Sequence, residues 1–234
     1  MVKMNSMRMT PSEIIVPIFG YEKDKDKWLF LGSRFFIENP PLLATASHVV
    51  EKKFDKVAIY NIEENKFYYA SAVIGNKEID LAILKIEKYM PQSSCKLGHD
   101  QQIVFTKPVY CYEYGTTINI QDKIAVSPAT RMGNITRLLN KKDIYGLAGE
   151  NMLELSFPAL KGASGSPVVL IENELILLGV VISNISYHLM PSQIETIIDQ
   201  NNECLEEVRY LMPQALAVNV KHLSKFYNDI KEQI

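Results

Sequence analysis

The sequence is short of everything that would staple or anchor it from outside. It has three cysteines, Cys95, Cys111 and Cys204, an odd number without metal-ligand spacing. A secreted chain of this size would more often carry paired cysteines, so each is read as a buried free thiol and no metal site is expected. No run approaches the about 20 apolar residues needed to cross a bilayer, so no membrane contact is expected. The first residues, MVKMNSMRMTPSE, hold neither an apolar stretch nor a small-residue cleavage site; no secretory signal is expected and the chain reads as cytoplasmic. Neither charge is in excess, since 25 Lys and Arg stand against 27 Asp and Glu for a net charge of −2. Binding to phosphate backbones wants a clear basic excess, so nucleic acid is not expected as a partner. The lysines at 23, 25 and 27 are interleaved with Asp24 and Asp26 and read as a solvated turn.

What the sequence does have is apolar material, 47% of 234 residues, enough for a substantial core without covalent help. Most of it falls in short runs broken by turn chemistry. The runs are 28–37, 42–46, 57–60, 67–73, 81–86, 109–114, 135–139, 152–157, 168–171, 175–183 and 215–220. Glu63-Glu64-Asn65 and Glu172-Asn173-Glu174 sit between successive runs as hairpin turns. Strands at intervals of roughly 8–12 residues predict an all-β sandwich or barrel. Helical spacing comes only late. Ile194, Ile197, Ile198, Leu205 and Val208 fall on one helical face, with Ser192 and Glu195 as a capping box, and predict a helical insertion over about 187–214. Leu223, Phe226, Tyr227 and Ile230 predict a C-terminal helix over about 220–232.

Three segments carry residues able to do chemistry. His48 follows the small apolar strand Leu43-Ala44-Thr45-Ala46, Asp80 opens the strand Leu81-Ala82-Ile83-Leu84, and Ser164 stands in Lys161-Gly162-Ala163-Ser164-Gly165-Ser166-Pro167. Each alone has a plain structural reading: a core histidine, a turn aspartate, a Gly-Ser turn. Together they supply what acyl transfer needs. A serine hydroxyl requires a base, histidine titrates in the right range, and a carboxylate fixes its tautomer and stabilises the imidazolium. Glycines flanking Ser164 allow a backbone path on which the Gly162 and Ser164 amides converge as an oxyanion hole, where one donor is worth about 3 kcal/mol.

At these points the chain resembles the trypsin-like (chymotrypsin-fold) serine peptidases. Thr45-Ala46-Ser47-His48, Asp80-Leu81-Ala82 and Gly162 to Pro167 match that family's three segments in order, and Gly32-Ser33 fits the same scheme. The resemblance implies two six-stranded antiparallel β-barrels, one over 12–105 carrying His48 and Asp80, the other over 106–234 carrying Ser164. It implies Ser164 as nucleophile, His48 as general base then acid, and Asp80 orienting the imidazole. It also implies an edge strand over 179–184, with Val181, Ile182, Ser183 and Asn184 pairing with substrate, and a primary pocket near Pro158, Ala159 and Leu160. No acidic residue stands there to select Lys or Arg, so a small or apolar side chain is expected before the scissile bond. Ala163 replaces the aspartate of zymogen-activated members, so no propeptide cleavage is expected. A protein or peptide substrate, a possible protein regulator and no cofactor follow. Two other readings stay open: a catalytically silent peptide-binding module of the same fold, and an esterase or acyltransferase.

Overall fold

The computed structural model describes residues 10–37, 42–89, 91, 93–118, 124–140, 151–188, 193–199, 202–208 and 211–234. A one-turn helix α1 (Pro11–Ile14) leads into six strands: β1 (Ile15–Glu22), β2 (Lys27–Ile37), β3 (Leu42–Thr45), β4 (Lys56–Asn61), β5 (Lys66–Asn76) and β6 (Leu81–Ile86). They close into a barrel in the order β1-β2-β3-β6-β5-β4, every neighbour antiparallel. A second one-turn helix, α2 (Ser47–Val50), follows β3. The strands nearest the site, β3 and β6, are continuous apolar runs because they are covered on both faces: Leu42, Leu43, Ala44, Leu81, Ala82, Ile83 and Leu84 are all buried. Elsewhere the turn chemistry works as read. Asn65 takes a left-handed φ of 51° at the β4–β5 hairpin, and the Asn61 side chain accepts from the Glu63 and Glu64 N–H groups.

The second half adds β7 (Lys96–Leu97), β8 (Val109–Ile118), β9 (Ile124–Gly133), β10 (Ile135–Leu139), β11 (Met152–Leu155), β12 (Pro167–Ile171), β13 (Leu175–His188), β14 (Gln193–Asp199), β15 (Asn202–Val208), β16 (Leu211–Asn219) and the helix α3 (Val220–Ile230). Its main sheet runs β10-β11-β16-β13-β12-β8-β9, with β7 parallel to β13. The first barrel is closed; the second is a sheet whose two edges, β9 and β10, are halves of one bent run. That run pairs with β8 before the bend and with β11 after it, so the chain itself carries the sheet round. Asn134 makes the corner: its N–H donates to Ser156 Oγ at 2.9 Å and its carbonyl accepts from Ser156 N at 3.0 Å. Gly133 is required beside it, because a Cβ there would stand 2.3 Å from Ser156 Oγ and 2.7 Å from the Phe157 ring.

The helical insertion predicted for about 187–214 is corrected. β14 and β15 form an antiparallel hairpin in which Gln193 faces Val208 and Asp199 faces Asn202. Ile194, Thr196, Ile197 and Ile198 are β-branched and stiff at χ1, which favours a pleated strand, and Asp199-Gln200-Asn201-Asn202 is turn-forming chemistry. Ser192, half of the expected capping box, lies outside the described residues.

One core cluster runs through both halves. It includes Phe35, Leu43 and Leu84 of the first barrel, Val180, Ile182, Leu216 and Val218 of the second sheet, and Leu223, Phe226 and Ile230 of α3. A smaller cluster, with Val109, Cys111, Leu155, Val168 and Val181, fills the second sheet's own interior. Both termini cross over as straps: α1 packs on β8 and β9, and Lys85 Nζ on β6 donates to the Ile234 carbonyl oxygen at 2.5 Å. Cys95 and Cys111 are buried free thiols, and burial pushes the Cys95 thiol up to about 12; the side chain of Cys204 lies outside the description. Leu84→Ala, in the shared core, is expected to cost about 2–5 kcal/mol in urea unfolding, the usual range for a fully buried leucine.

Candidate active site

Asp80 is the first piece, and its backbone is unusual. It takes φ 52°, a left-handed conformation uncommon outside glycine and tolerated by Asp and Asn. From there it grips the start of α2 at three points. Its carbonyl accepts from Ser47 N at 3.1 Å, Oδ1 from His48 N at 2.9 Å, and Oδ2 lies 2.7 Å from His48 Nδ1. An ionised carboxylate only accepts, so Nδ1 carries the proton and Nε2 of the neutral ring is left with a lone pair. The His48 side chain is 43% exposed while that of Asp80 is 23% exposed, so the imidazole is the more open to solvent of the two.

The serine segment is two turns in succession. Ala163 N donates to Leu160 O and Ser166 N to Ala163 O, each at 2.9 Å. Gly162 and Gly165 take φ of 99° and 86°. A Cβ at Gly162 would meet Tyr114 O at 2.6 Å and the Phe30 ring at 2.8 Å, so no larger residue fits that path. Behind the turn Gly165 N donates to Val181 O at 2.8 Å and Val181 N to Ser166 O at 2.9 Å. From the first barrel, Ser33 N donates to Ser164 O at 3.2 Å and Ser33 Oγ donates to Gly162 O at 3.0 Å. Ser33 Oγ in turn accepts from Tyr114 N at 2.7 Å. These bonds occupy the carbonyls. The Gly162 and Ser164 N–H groups donate to no acceptor among the described residues, so both are free for an anionic oxygen.

Ser164 is half-buried, and its Oγ donates to the Ile182 carbonyl at 3.3 Å; no hydrogen bond joins it to His48 among the described residues. Beneath it lies a buried cation. Arg34 is fully covered, its Nη1 donates to Ser33 O, and its Nε and Nη2 have no partner among the described residues. A Cβ at Gly165 would stand 2.5 Å from that Nη1 and 2.3 Å from Thr45 Oγ1. Burial pushes the guanidinium well below the usual arginine range.

The residues expected to meet substrate divide. Pro158 and Leu160 are exposed and Ala159 half-buried on the segment entering the turn. Val181 gives its side chain to the interior of the second sheet and its backbone to the nucleophile turn. Ile182 packs in the shared core, and Ser183 and Asn184 reach the surface side of β13. The edge expected over 179–184 is shorter than that. Through Val180, β13 has β12 on one side and β16 on the other, and at Val181 the Ser164 turn takes over from β12, so among the described residues an open edge starts only at Ser183. Sequence reading missed the bonding role of Ser33, the buried Arg34, and a side-chain clamp from Asn184 to Ala159. The available signals were an arginine inside an apolar strand and an asparagine inside another, both poor fits to buried strands.

The description "trypsin-like peptidase domain" matches residues 32–178. The chain belongs to the trypsin-like peptidase family. The match begins at Gly32, beside the Ser33 seam, and ends within β13. Among solved structures, the chain is similar to the HtrA-type protease AlgW with a decapeptide, at 15% identity and a TM-score of 0.63. It is also similar to the Rv3671c protease from M. tuberculosis in its active form, at 16% identity and a TM-score of 0.59. These likenesses cover 94% and 93% of the present chain, which spans 65% of the AlgW chain and 81% of the other. A search of curated proteins finds no match. The mostly β, two-part architecture of the family is the fold described above.

The seam at Ser33 is open to direct test. Ser33→Ala strands the buried Tyr114 N–H and frees Gly162 O, so a loss of about 1–3 kcal/mol in urea unfolding is expected. A loss below a few tenths would show that the seam does not hold the turn.

Proposed function

We propose that this chain is a serine endopeptidase in which Ser164 attacks a peptide carbonyl, His48 moves the proton and Asp80 holds the imidazole. The observation that carries the reading is the double grip of Asp80 on His48, at 2.9 Å to its amide and 2.7 Å to Nδ1. A histidine held in one tautomer by a carboxylate, with its other ring nitrogen left to take a proton from a serine, is what activation of a hydroxyl requires. In the reaction the hydroxyl leaves the Ile182 carbonyl by a χ1 rotation between staggered wells. Nε2 takes its proton as Oγ bonds to the acyl carbon. Negative charge then gathers on the former carbonyl oxygen, where the Gly162 and Ser164 amides are free to receive it. The imidazolium, stabilised by Asp80, gives the proton to the departing amine, and water repeats the sequence to release the acid.

A peptide or protein substrate is part of the proposal, supported by the open edge of β13 from Ser183 onward, to which an extended chain can add as a strand. The AlgW structure with its decapeptide is consistent with a peptide in that place. One observation favours the silent binding module instead: Ser164 Oγ rests on Ile182 and not on His48.

Labelling with a fluorophosphonate, read by intact mass, separates the two. A single adduct on the wild type, absent in Ser164→Ala and His48→Ala, is expected. Asp80→Asn, which presents the wrong hydrogen-bonding partner to Nδ1, should slow labelling by roughly 10⁴-fold. A folded wild type that takes no label would sink the protease reading in favour of the binding module.

A further inference from the structure

Two segments beside Ser164 are bridged by a side chain. On one wall stand Ala159 and Leu160, which lead into the Ser164 turn. On the other stand Ile182, Ser183 and Asn184 of β13, tied to that turn by the bond from Ser164 Oγ to Ile182 O. The Asn184 amide spans from the second wall to the first. Its Nδ2 donates to Ala159 O at 2.8 Å and its Oδ1 accepts from Ala159 N at 2.7 Å. Both polar atoms of one amide thus meet both backbone groups of one residue, the pairing that a neighbouring strand would otherwise make. The segments are 25 residues apart in sequence, so the contact is tertiary and sets the spacing of the two segments.

We propose that Asn184 sets the specificity of the site, admitting only a small side chain (Gly, Ala or Ser) on the residue whose carbonyl is attacked. The proposal rests on the serine endopeptidase reading. A substrate acylating Ser164 and lying along β13 from Ser183 must point that side chain into the gap between the two walls. Asn184 stands two residues beyond Ile182, or roughly 7 Å along a strand rising about 3.3 Å per residue. Its amide, tied to Ala159, closes the space between the two segments at that point, so a side chain entering there must be short. A longer side chain must break both amide bonds to enter. Their net worth corresponds to roughly 5- to 150-fold in rate, and each misfitted methylene to a comparable factor. The exposed Leu160 adds an apolar rim, which suits a methyl group better than a charge.

The test uses peptidyl diphenyl phosphonates that differ only in the side chain next to phosphorus, methyl, isopropyl, isobutyl or benzyl, with the rate of adduct formation on the full chain read by intact mass. Wild type is expected to react at least 10-fold faster with methyl than with isobutyl or benzyl. Asn184→Gly and Asn184→Ala are expected to narrow or reverse that ratio by 10-fold or more. Adduct formation with a benzyl preference in wild type, or an unchanged ratio in variants that keep their melting transition, would overturn the role of Asn184 and leave the protease reading intact. Should either variant fail to fold, the wild-type ratio decides. No adduct with any phosphonate or fluorophosphonate would remove the protease reading, and this proposal with it.

Discussion

Everything at the site depends on a seam a few atoms wide, where Ser33 of β2 meets the turn around Ser164. His48 and Asp80 are on one barrel and Ser164 is on the other sheet, so their relation is only as well fixed as the contact between the halves. Ser33 supplies that contact with its own backbone N–H and hydroxyl, on carbonyls 131 and 129 residues away at Ser164 and Gly162. The hydroxyl both donates and accepts, since it also takes a hydrogen bond from Tyr114 N. A buried hydroxyl held by bonds in both directions is stiff, and stiffness is what any preorganised pair of donors needs, since donors that must rearrange lose much of their worth. The shared apolar cluster and the two terminal straps hold the halves together around this seam.

The same region carries the molecule's clearest electrostatic expense. Arg34 brings a cation into the interior with no ion pair among the described residues, and two of its nitrogens find no hydrogen-bond partner there. Replacement of buried ionic groups by apolar ones of similar size is often neutral or stabilising, so stability alone gives no reason for an arginine at this position. Its place against Gly165 puts the charge directly behind the Ser164 turn. Asp80 shows the same pattern on a smaller scale: a left-handed backbone, sparsely populated for a non-glycine residue, is held because both its carbonyl and its carboxylate are satisfied by the start of α2.

The two sheets divide the work in physical terms. The first barrel is closed and presents a rigid rim on which a short helix carries His48. The second is assembled around β13, whose backbone changes partners along its length from β12 to the nucleophile turn to an open edge. One strand therefore supports the core, pins the turn and faces the cleft in succession. Asn184 is at the last of these stations, and its side chain makes to Ala159 the bonds that a further strand would have made.

By itself the sequence determined the all-β character, the hairpins at Asn65 and Asn173, the C-terminal helix expected over about 220–232 and the segments bearing His48, Asp80 and Ser164, while the division into two halves was implied by the family resemblance. These are legible because they rest on local chemistry: period-2 and period-3.6 patterns, turn residues, and glycines where φ is positive. The insertion failed for a related reason, since five apolar residues at helical spacing also fit paired strands, and the β-branched content and cross-strand partners tip the balance. Only the tertiary structure decided the rest. Ser33 and Tyr114, Arg34 and Gly165, and Asn184 and Ala159 meet across sequence separations that no local pattern encodes, and whether a polar side chain is a turn former, an orphan or a clamp depends on which partner the fold brings within about 3 Å of it.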